Sequence, residues 1–184
     1  LPPGVQLDVP PPAEALYVLA DATQIQQAVL NLGANAVAAV AGVQAPEGAP
    51  GGTVTIDMER VDLLASLLPG QRLQSADNPT VPCAALRVRD TGAGMDTATL
   101  ARIFEPFFTT KPVGQGTGLG LAVVHGVMAR HGGFVDVQST PGSGSCFSLY
   151  LPLADEQASA STSVRSGAAD APLRLRERPG MGKQ

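Results

Sequence analysis

Asp90-Thr91-Gly92-Ala93-Gly94 follows directly on the apolar run Cys83 to Val88, and Gly116-Thr117-Gly118-Leu119-Gly120 opens a later run with helical spacing. A carboxylate at a strand end can accept a hydrogen bond from an exocyclic amine such as that of adenine. The glycines after it let the backbone approach a flat ring, because no Cβ intervenes. A simple turn would explain the same five residues. The second stretch is a glycine-rich helix start, where unpaired N–H groups and the positive end of the helix dipole suit a phosphate. It is not a P-loop, since Gly-x-x-x-x-Gly-Lys-Ser/Thr is absent, and no Gly-x-Gly-x-x-Gly register can be drawn through it.

Working outward, the chain reads as strands and helices in a definite order. Val5 to Val9 alternates as a strand before Pro10-Pro11-Pro12, and Tyr17 to Ala20 is a second short apolar run. Asp21 offers a helix N-cap, with Gln24 three residues on to complete a capping box. The helix then runs to about Ala41, with Ile25, Ala28, Val29, Leu32, Ala36 and Val40 on one face. Gly42 and the segment Pro46 to Gly52 end it. Thr53 to Met58 and Cys83 to Val88 are strands, and Asp62 to Pro82, with a turn at Pro69-Gly70, reads as a hairpin extension or a loop. A short helix over Asp96 to Ile103, a long one over Leu119 to Arg130, and strands at Phe134 to Ser139 and Ser145 to Leu151 complete the pattern. These elements predict an α/β sandwich: a mixed, mostly antiparallel sheet covered on one face by helices.

Two further clusters carry chemistry. Gln27, Asn31 and Asn35 lie four apart, so their amides form a polar ridge along the first long helix. Magnesium takes hard oxygen donors and few protein ligands, which an Asn carbonyl suits. An ordinary helix–helix hydrogen bond would explain the same amides. In Phe104-Glu105-Pro106-Phe107-Phe108-Thr109-Thr110-Lys111, three of the chain's five phenylalanines fall together as a hydrophobic anchor for a loop. Lys111 could then reach a terminal phosphate as a point charge; a small core cluster beside a solvated lysine is the plainer reading.

Composition excludes other classes. The 184 residues suffice for one domain with a tail, and a hydrophobic fraction of 44% is that of a soluble globular protein. A net charge of -4 without a basic, aromatic-studded stretch argues against nucleic acid as a partner. No apolar run is long enough to span a bilayer and no signal-peptide pattern opens the sequence, so this stretch is expected to be cytoplasmic without direct membrane contact, and a longer parent protein could still be membrane-anchored. Cys83 and Cys146 show no metal spacing and read as reduced thiols.

In combination the four stretches form a specific order, and it resembles the catalytic domain of sensor histidine kinases, within the wider group of gyrase, mismatch-repair and heat-shock ATPases. Asn31-Leu32-x-x-Asn35-Ala36 resembles the N box, Asp90 to Gly94 the G1 box, Phe104 to Phe108 the F box and Gly116 to Gly120 the G2 box. His131-Gly132-Gly133 and Gly144-Ser145-x-Phe147 are similar to the closing strands of that family. The resemblance covers residues 1–153 as an ATP-binding domain and leaves 154–184 as a flexible linker.

The resemblance implies ATP and Mg2+ as ligands. Asn35 would hold the metal and Asn31 would support phosphate or metal one turn earlier. Asp90 would read the adenine amine, with Gly92 and Gly94 lining its pocket and Ser145 reaching the adenine side through water. Thr110, Lys111 and the stretch to Thr117 would form a lid, with Gly116, Gly118, Leu119 and Gly120 about the phosphates. The implied chemistry is transfer of the γ-phosphoryl group to a histidine on a separate dimerisation and phosphoacceptor domain, carried mostly by positioning. No histidine precedes Asn31, so that acceptor is expected outside this sequence. Arg178 to Gln184 resembles the approach to a response-regulator receiver domain, which would follow Gln184.

Two departures bear on activity. Hydrolytic relatives carry a glutamate general base where Asn31 stands, and an amide cannot take a proton from water, which favours phosphotransfer. Related kinases often carry a charge where Ala38 stands. A degenerate, non-catalytic nucleotide-sensing scaffold is therefore the alternative reading, and a serine kinase of the anti-sigma-factor type is a third.

Overall fold

The computed structural model describes residues 1–43, 51–69, 79–112 and 116–154, together with the backbone of 173–176. The turn residue Gly70, the helix-breaking stretch 46–50, lid residues 113–115 and most of the stretch read as a linker lie outside the described residues.

The strands are β1 (Gln6–Asp8), β2 (Leu16–Leu19), β3 (Thr53–Leu64), β4 (Thr80–Asp90), β5 (Phe134–Thr140), β6 (Gly144–Pro152) and β7 (Leu173–Arg176). The helices are α1 (Ala22–Ala41), α2 (Thr97–Leu100) and α3 (Gly120–Arg130), with a single 3-10 turn at Ala65–Leu67. Five strands form one sheet in the order β1-β3-β4-β6-β5; β1 runs parallel to β3 and the other neighbours are antiparallel. The expected mixed, mostly antiparallel sheet is therefore present, with α1 and α3 packed together on one face of it. Within the stretch read as a linker, β7 runs parallel to β2 as a separate pair.

The core lies between that face and the two long helices. On α1, Ile25, Ala28, Leu32, Ala36 and Val40 are buried, following the expected helical stripe. Val124, Val127 and Met128 do the same on α3, against Val54, Val88 and Leu149 of the sheet. Burying each such Val or Leu contributes about 1.5–3 kcal/mol. On the opposite face of the sheet, Arg87 bridges the carboxylates of Asp57 and Glu59.

Several boundaries differ from the sequence reading. β3 continues six residues beyond Met58, because Glu59 and Arg60 tolerate solvent on the exposed end of a long β3–β4 hairpin. The short helix ends at Leu100, and tighter turns carry the chain onward: Arg102 N–H donates to the Thr99 carbonyl and Glu105 N–H to that of Arg102. Pro106 disfavours helical backbone in the residue before it. The capping box is only half formed. Asp21 Oδ1 accepts the Gln24 N–H at 3.0 Å, but Gln24 Nε2 turns to Asp21 Oδ2 while its carbonyl oxygen receives Arg130 from α3.

Candidate functional site

Between α1, the C-terminal end of β4, α2 and the start of α3 lies a cleft of about 800 Å³, within the range of small-molecule sites. Asn31 and Asn35 face it from α1, Asp90 and Ser145 from adjacent strands, and Thr110, Lys111 and the Gly116–Gly120 segment from the loop side. The sequence thus folds its four separate motifs into one concavity.

At the inner end, Asp90 is only 4% exposed, and its Oδ1 accepts the Gly92 N–H at 2.8 Å. Burial pushes its carboxyl above the usual range, against an opposite pull from the Gly92 and Ser145 N–H groups. Ser145 is the register partner of Asp90 and is 7% exposed. Gly94 adopts φ +65 beneath the β5–β6 turn, and a Cβ there would strike the Thr140 carbonyl oxygen. Gly92 has no room for a side chain either, since a Cβ would lie 2.6 Å from the Ala39 backbone. Gly92 serves by letting α1 close on the strand end and does not itself line the cleft.

At the outer end, Asn31 is held from both sides. Its Oδ1 accepts from Gln27 Nε2 at 3.1 Å, and its Nδ2 donates to the Gly120 carbonyl at 3.3 Å. This contact ties α1 to the start of α3, whose first residues Gly120 and Leu121 line the cleft. Asn35 Oδ1 points toward Lys111 Nζ at 3.5 Å. Thr117 Oγ1 takes the Leu119 N–H at 3.3 Å, and Leu119, 39% exposed, is not part of the lining.

The Phe-rich stretch divides its labour. Phe104 packs on the core and meets His125 of α3 with ring centroids 5.2 Å apart. Phe108 lines the cleft under the Arg102 guanidinium, 4.3 Å from its ring. Phe107, read as part of the anchor, is 75% exposed at φ +69. Its backbone is turned so that its N–H reaches the Gly118 carbonyl at 2.9 Å, which swings the side chain outward. Gly118, at φ +65, leaves no space between itself and the Phe107 backbone.

Lining residues that carry no motif signal, among them Ala34, Met95, Thr99 and Leu121, went unmarked in the sequence. Ser139 is a second omission: its hydroxyl ties the Met95 N–H to the β6 strand. Only the tertiary row Ser139–Ser145–Asp90 reveals it, since a serine in an alternating strand is unremarkable alone.

The site fits a magnesium-bound nucleoside triphosphate. Among the described residues no three His, Cys, Asp or Glu side chains gather as a metal cluster, and a magnesium held largely by phosphate and water needs none. An amide oxygen, an ammonium group and a helix N-terminus converge at the outer end, and a buried carboxylate stands at the inner end.

This fold and cleft define a nucleotide-site sandwich of the histidine-kinase ATPase class. Residues 20–155 match the family model described as histidine kinase-, DNA gyrase B-, and HSP90-like ATPase, and the chain belongs to that family. It is 36% identical over 161 residues to the sensor kinase CckA of Brucella abortus, covering 88% of this chain and 15% of that protein. The two-component sensor PprA of Pseudomonas aeruginosa is 35% identical over 151 residues, covering 82% of this chain and 14% of PprA. The chain therefore spans about one seventh of these relatives. Among solved structures, the mycobacterial sensor histidine kinase MprB aligns with a TM-score of 0.54 at 25% identity, over 82% of this chain and 83% of that one. Full-length ShkA in complex with AMPPNP aligns with a TM-score of 0.57 at 28% identity, over 82% of this chain and 26% of that one. The chain is homologous to the catalytic domains of sensor histidine kinases. Among the described residues, no helix is long and apolar enough to cross a membrane.

Proposed function

We propose that this domain binds Mg-ATP in the cleft and donates the γ-phosphoryl group to a histidine of a separate phosphoacceptor domain, as in two-component signalling. The observation that carries the reading is the convergence of Asp90, Asn35, Lys111 and the α3 N-terminus on one cleft. Asp90 would accept the adenine amine. Lys111 and the N–H groups opening α3 would meet phosphate charge, and Asn35 would hold magnesium, with Asn31 fixing the helix ends around it. When bound, the metal neutralises phosphate charge.

Transfer breaks the bond from the γ-phosphorus to the bridging oxygen, and ADP leaves with that electron pair. The lone pair of the acceptor imidazole nitrogen makes the new P–N bond, and the ring's remaining proton is shed afterwards. No residue of this domain needs to act as nucleophile; its work is orientation and charge neutralisation. Asn31, whose amide cannot take a proton, offers no general base for hydrolysis. Residues 1–153 are proposed as the catalytic unit and 154–184 as a linker, with a receiver domain after Gln184 as a further partner.

One observation favours a second reading, a non-catalytic nucleotide-sensing scaffold: Ala38 lines the cleft without charge. Calorimetric titration with a non-hydrolysable ATP analogue, with and without magnesium, tests binding. Phosphotransfer to a supplied helical-hairpin histidine domain then separates kinase from scaffold. Magnesium-dependent binding with transfer is expected. Binding without transfer favours the scaffold, and no binding at millimolar analogue refutes both.

A further inference from the structure

Asp90, Ser145 and Ser139 stand in one cross-strand row over β4, β6 and β5, on the face of the sheet that forms the inner end of the cleft. Ser139 lies one strand behind the lining, yet its Oγ has three polar neighbours. It accepts the Met95 N–H at 2.8 Å, donates to the Gly144 carbonyl at 3.1 Å, and lies 3.0 Å from Ser145 Oγ. A hydroxyl has one proton and two lone pairs. A carbonyl only accepts, so the Ser139 proton goes to Gly144. One lone pair takes the Met95 N–H, and the other is left for Ser145. Ser145 must then donate its own proton to Ser139.

From this proton order we infer that Ser139 is a positioning residue for base recognition, taking up the Ser145 proton so that Ser145 Oγ offers only acceptor lone pairs to the cleft beside the carboxylate of Asp90. Two acceptors side by side suit an exocyclic amine placed against them, which carries two N–H donors, directly or through a water that donates both ways. They reject a carbonyl oxygen at the same place. Adenine carries an amine on that edge and guanine an oxo group, so Ser139 contributes to selection of adenine nucleotides. The same hydroxyl also fastens Met95, at the end of the glycine turn, to the β5–β6 turn. Gly142 N–H reinforces that seam by donating to the Ala93 carbonyl at 2.6 Å. The inference rests on the proposed adenine site at Asp90.

The test is a double-mutant cycle on the full chain, read by titration with non-hydrolysable ATP and GTP analogues. Ser139→Ala is expected to weaken ATP-analogue binding about tenfold and GTP-analogue binding far less, narrowing the preference for adenine. Ser139→Thr, which keeps the hydroxyl, is expected to restore the preference. In a Ser145→Ala background, Ser139→Ala should cost little more, because one acts through the other. Equal losses for both analogues, or losses that add independently of Ser145, would reduce Ser139 to a structural hydroxyl and overturn the inference. Unchanged selectivity in Ser139→Ala, with the parent still preferring adenine, overturns it alone. A parent that binds neither analogue overturns the proposed nucleotide site, and this inference with it.

Discussion

The backbone N–H of Asp21 donates to Nε2 of His131 at 3.0 Å, joining the N-cap of α1 to the C-cap of α3 across 110 positions of sequence. Nδ1 of the same ring lies 2.7 Å from the Val127 carbonyl, so the ring carries its proton on Nδ1 and offers Nε2 as an acceptor. The capping box that Gln24 would have completed is thus replaced by an imidazole from α3, and Arg130 holds Gln24 on the same seam.

Removing that ring should loosen the α1–α3 pairing that frames the cleft. His131→Ala is expected to lower unfolding stability by about 1–2 kcal/mol, because a part-buried N–H loses its partner. His131→Gln, which can place an acceptor near the same point, should recover part of the loss. Denaturant unfolding of the three proteins decides it, and identical midpoints would show that the contact contributes nothing.

Asp90 sets function against stability. Burial raises its carboxyl pKa, so ionising Asp90 costs more in the folded state than in the unfolded chain. A group raised in this way favours folding fully at pH below its unfolded value, and the benefit is lost as pH rises through the folded one. Asp90→Asn is neutral throughout. Relative to the parent, the variant should therefore gain thermal stability as pH climbs from the acidic range toward neutrality. Its affinity for an ATP analogue should fall at least tenfold. A stability difference that shrank with rising pH would contradict the burial argument.

Much of this was legible in sequence because the signals are local. Asp21 begins α1 as its side chain predicts, and the stripe from Ile25 to Val40 buries as its spacing requires. Glycine supplied the strongest marks, since Gly94 and Gly118 occupy backbone conformations and close approaches that other residues resist. What was not legible depends on partners remote in sequence. Nothing near Ser139 announces that its hydroxyl will meet Met95, and nothing near His131 announces Asp21. Phe107 misled for a related reason: aromatic composition predicts burial, but the hydrogen bond to Gly118 dictates a backbone that turns the ring to solvent.

Two glycines should respond in opposite ways to the same substitution. Gly33 lies within α1 with nothing near a built Cβ, so its cost there is conformational freedom alone. Gly33→Ala should raise stability by about 1 kcal/mol and leave nucleotide binding intact. Gly118→Ala meets both the left-handed φ and the Phe107 backbone. It should displace the loop and weaken analogue binding more than tenfold. Thermal melts and titrations of both variants provide the check, and a Gly118→Ala protein that binds as the parent does would show that this turn is not part of the site.

Asn35 and Lys111 meet at the outer end of the cleft, an amide oxygen facing an ammonium group at 3.5 Å. Such an oxygen can serve a divalent cation, while the ammonium can serve only an anion, so the two should fail differently. Asn35→Ala is expected to bind an ATP analogue with little dependence on magnesium, leaving the affinity of the parent without metal. Lys111→Ala should keep the magnesium dependence but lose affinity for a triphosphate by about tenfold, or ~1.4 kcal/mol, and for a diphosphate by much less. Because charge screening weakens an exposed lysine–phosphate contact, the deficit should shrink as salt rises. Titrations of ADP and the ATP analogue at two salt concentrations, each with and without magnesium, separate these outcomes. A Lys111→Ala protein that lost ADP and the triphosphate equally would place the lysine near the base or sugar and away from the terminal phosphate.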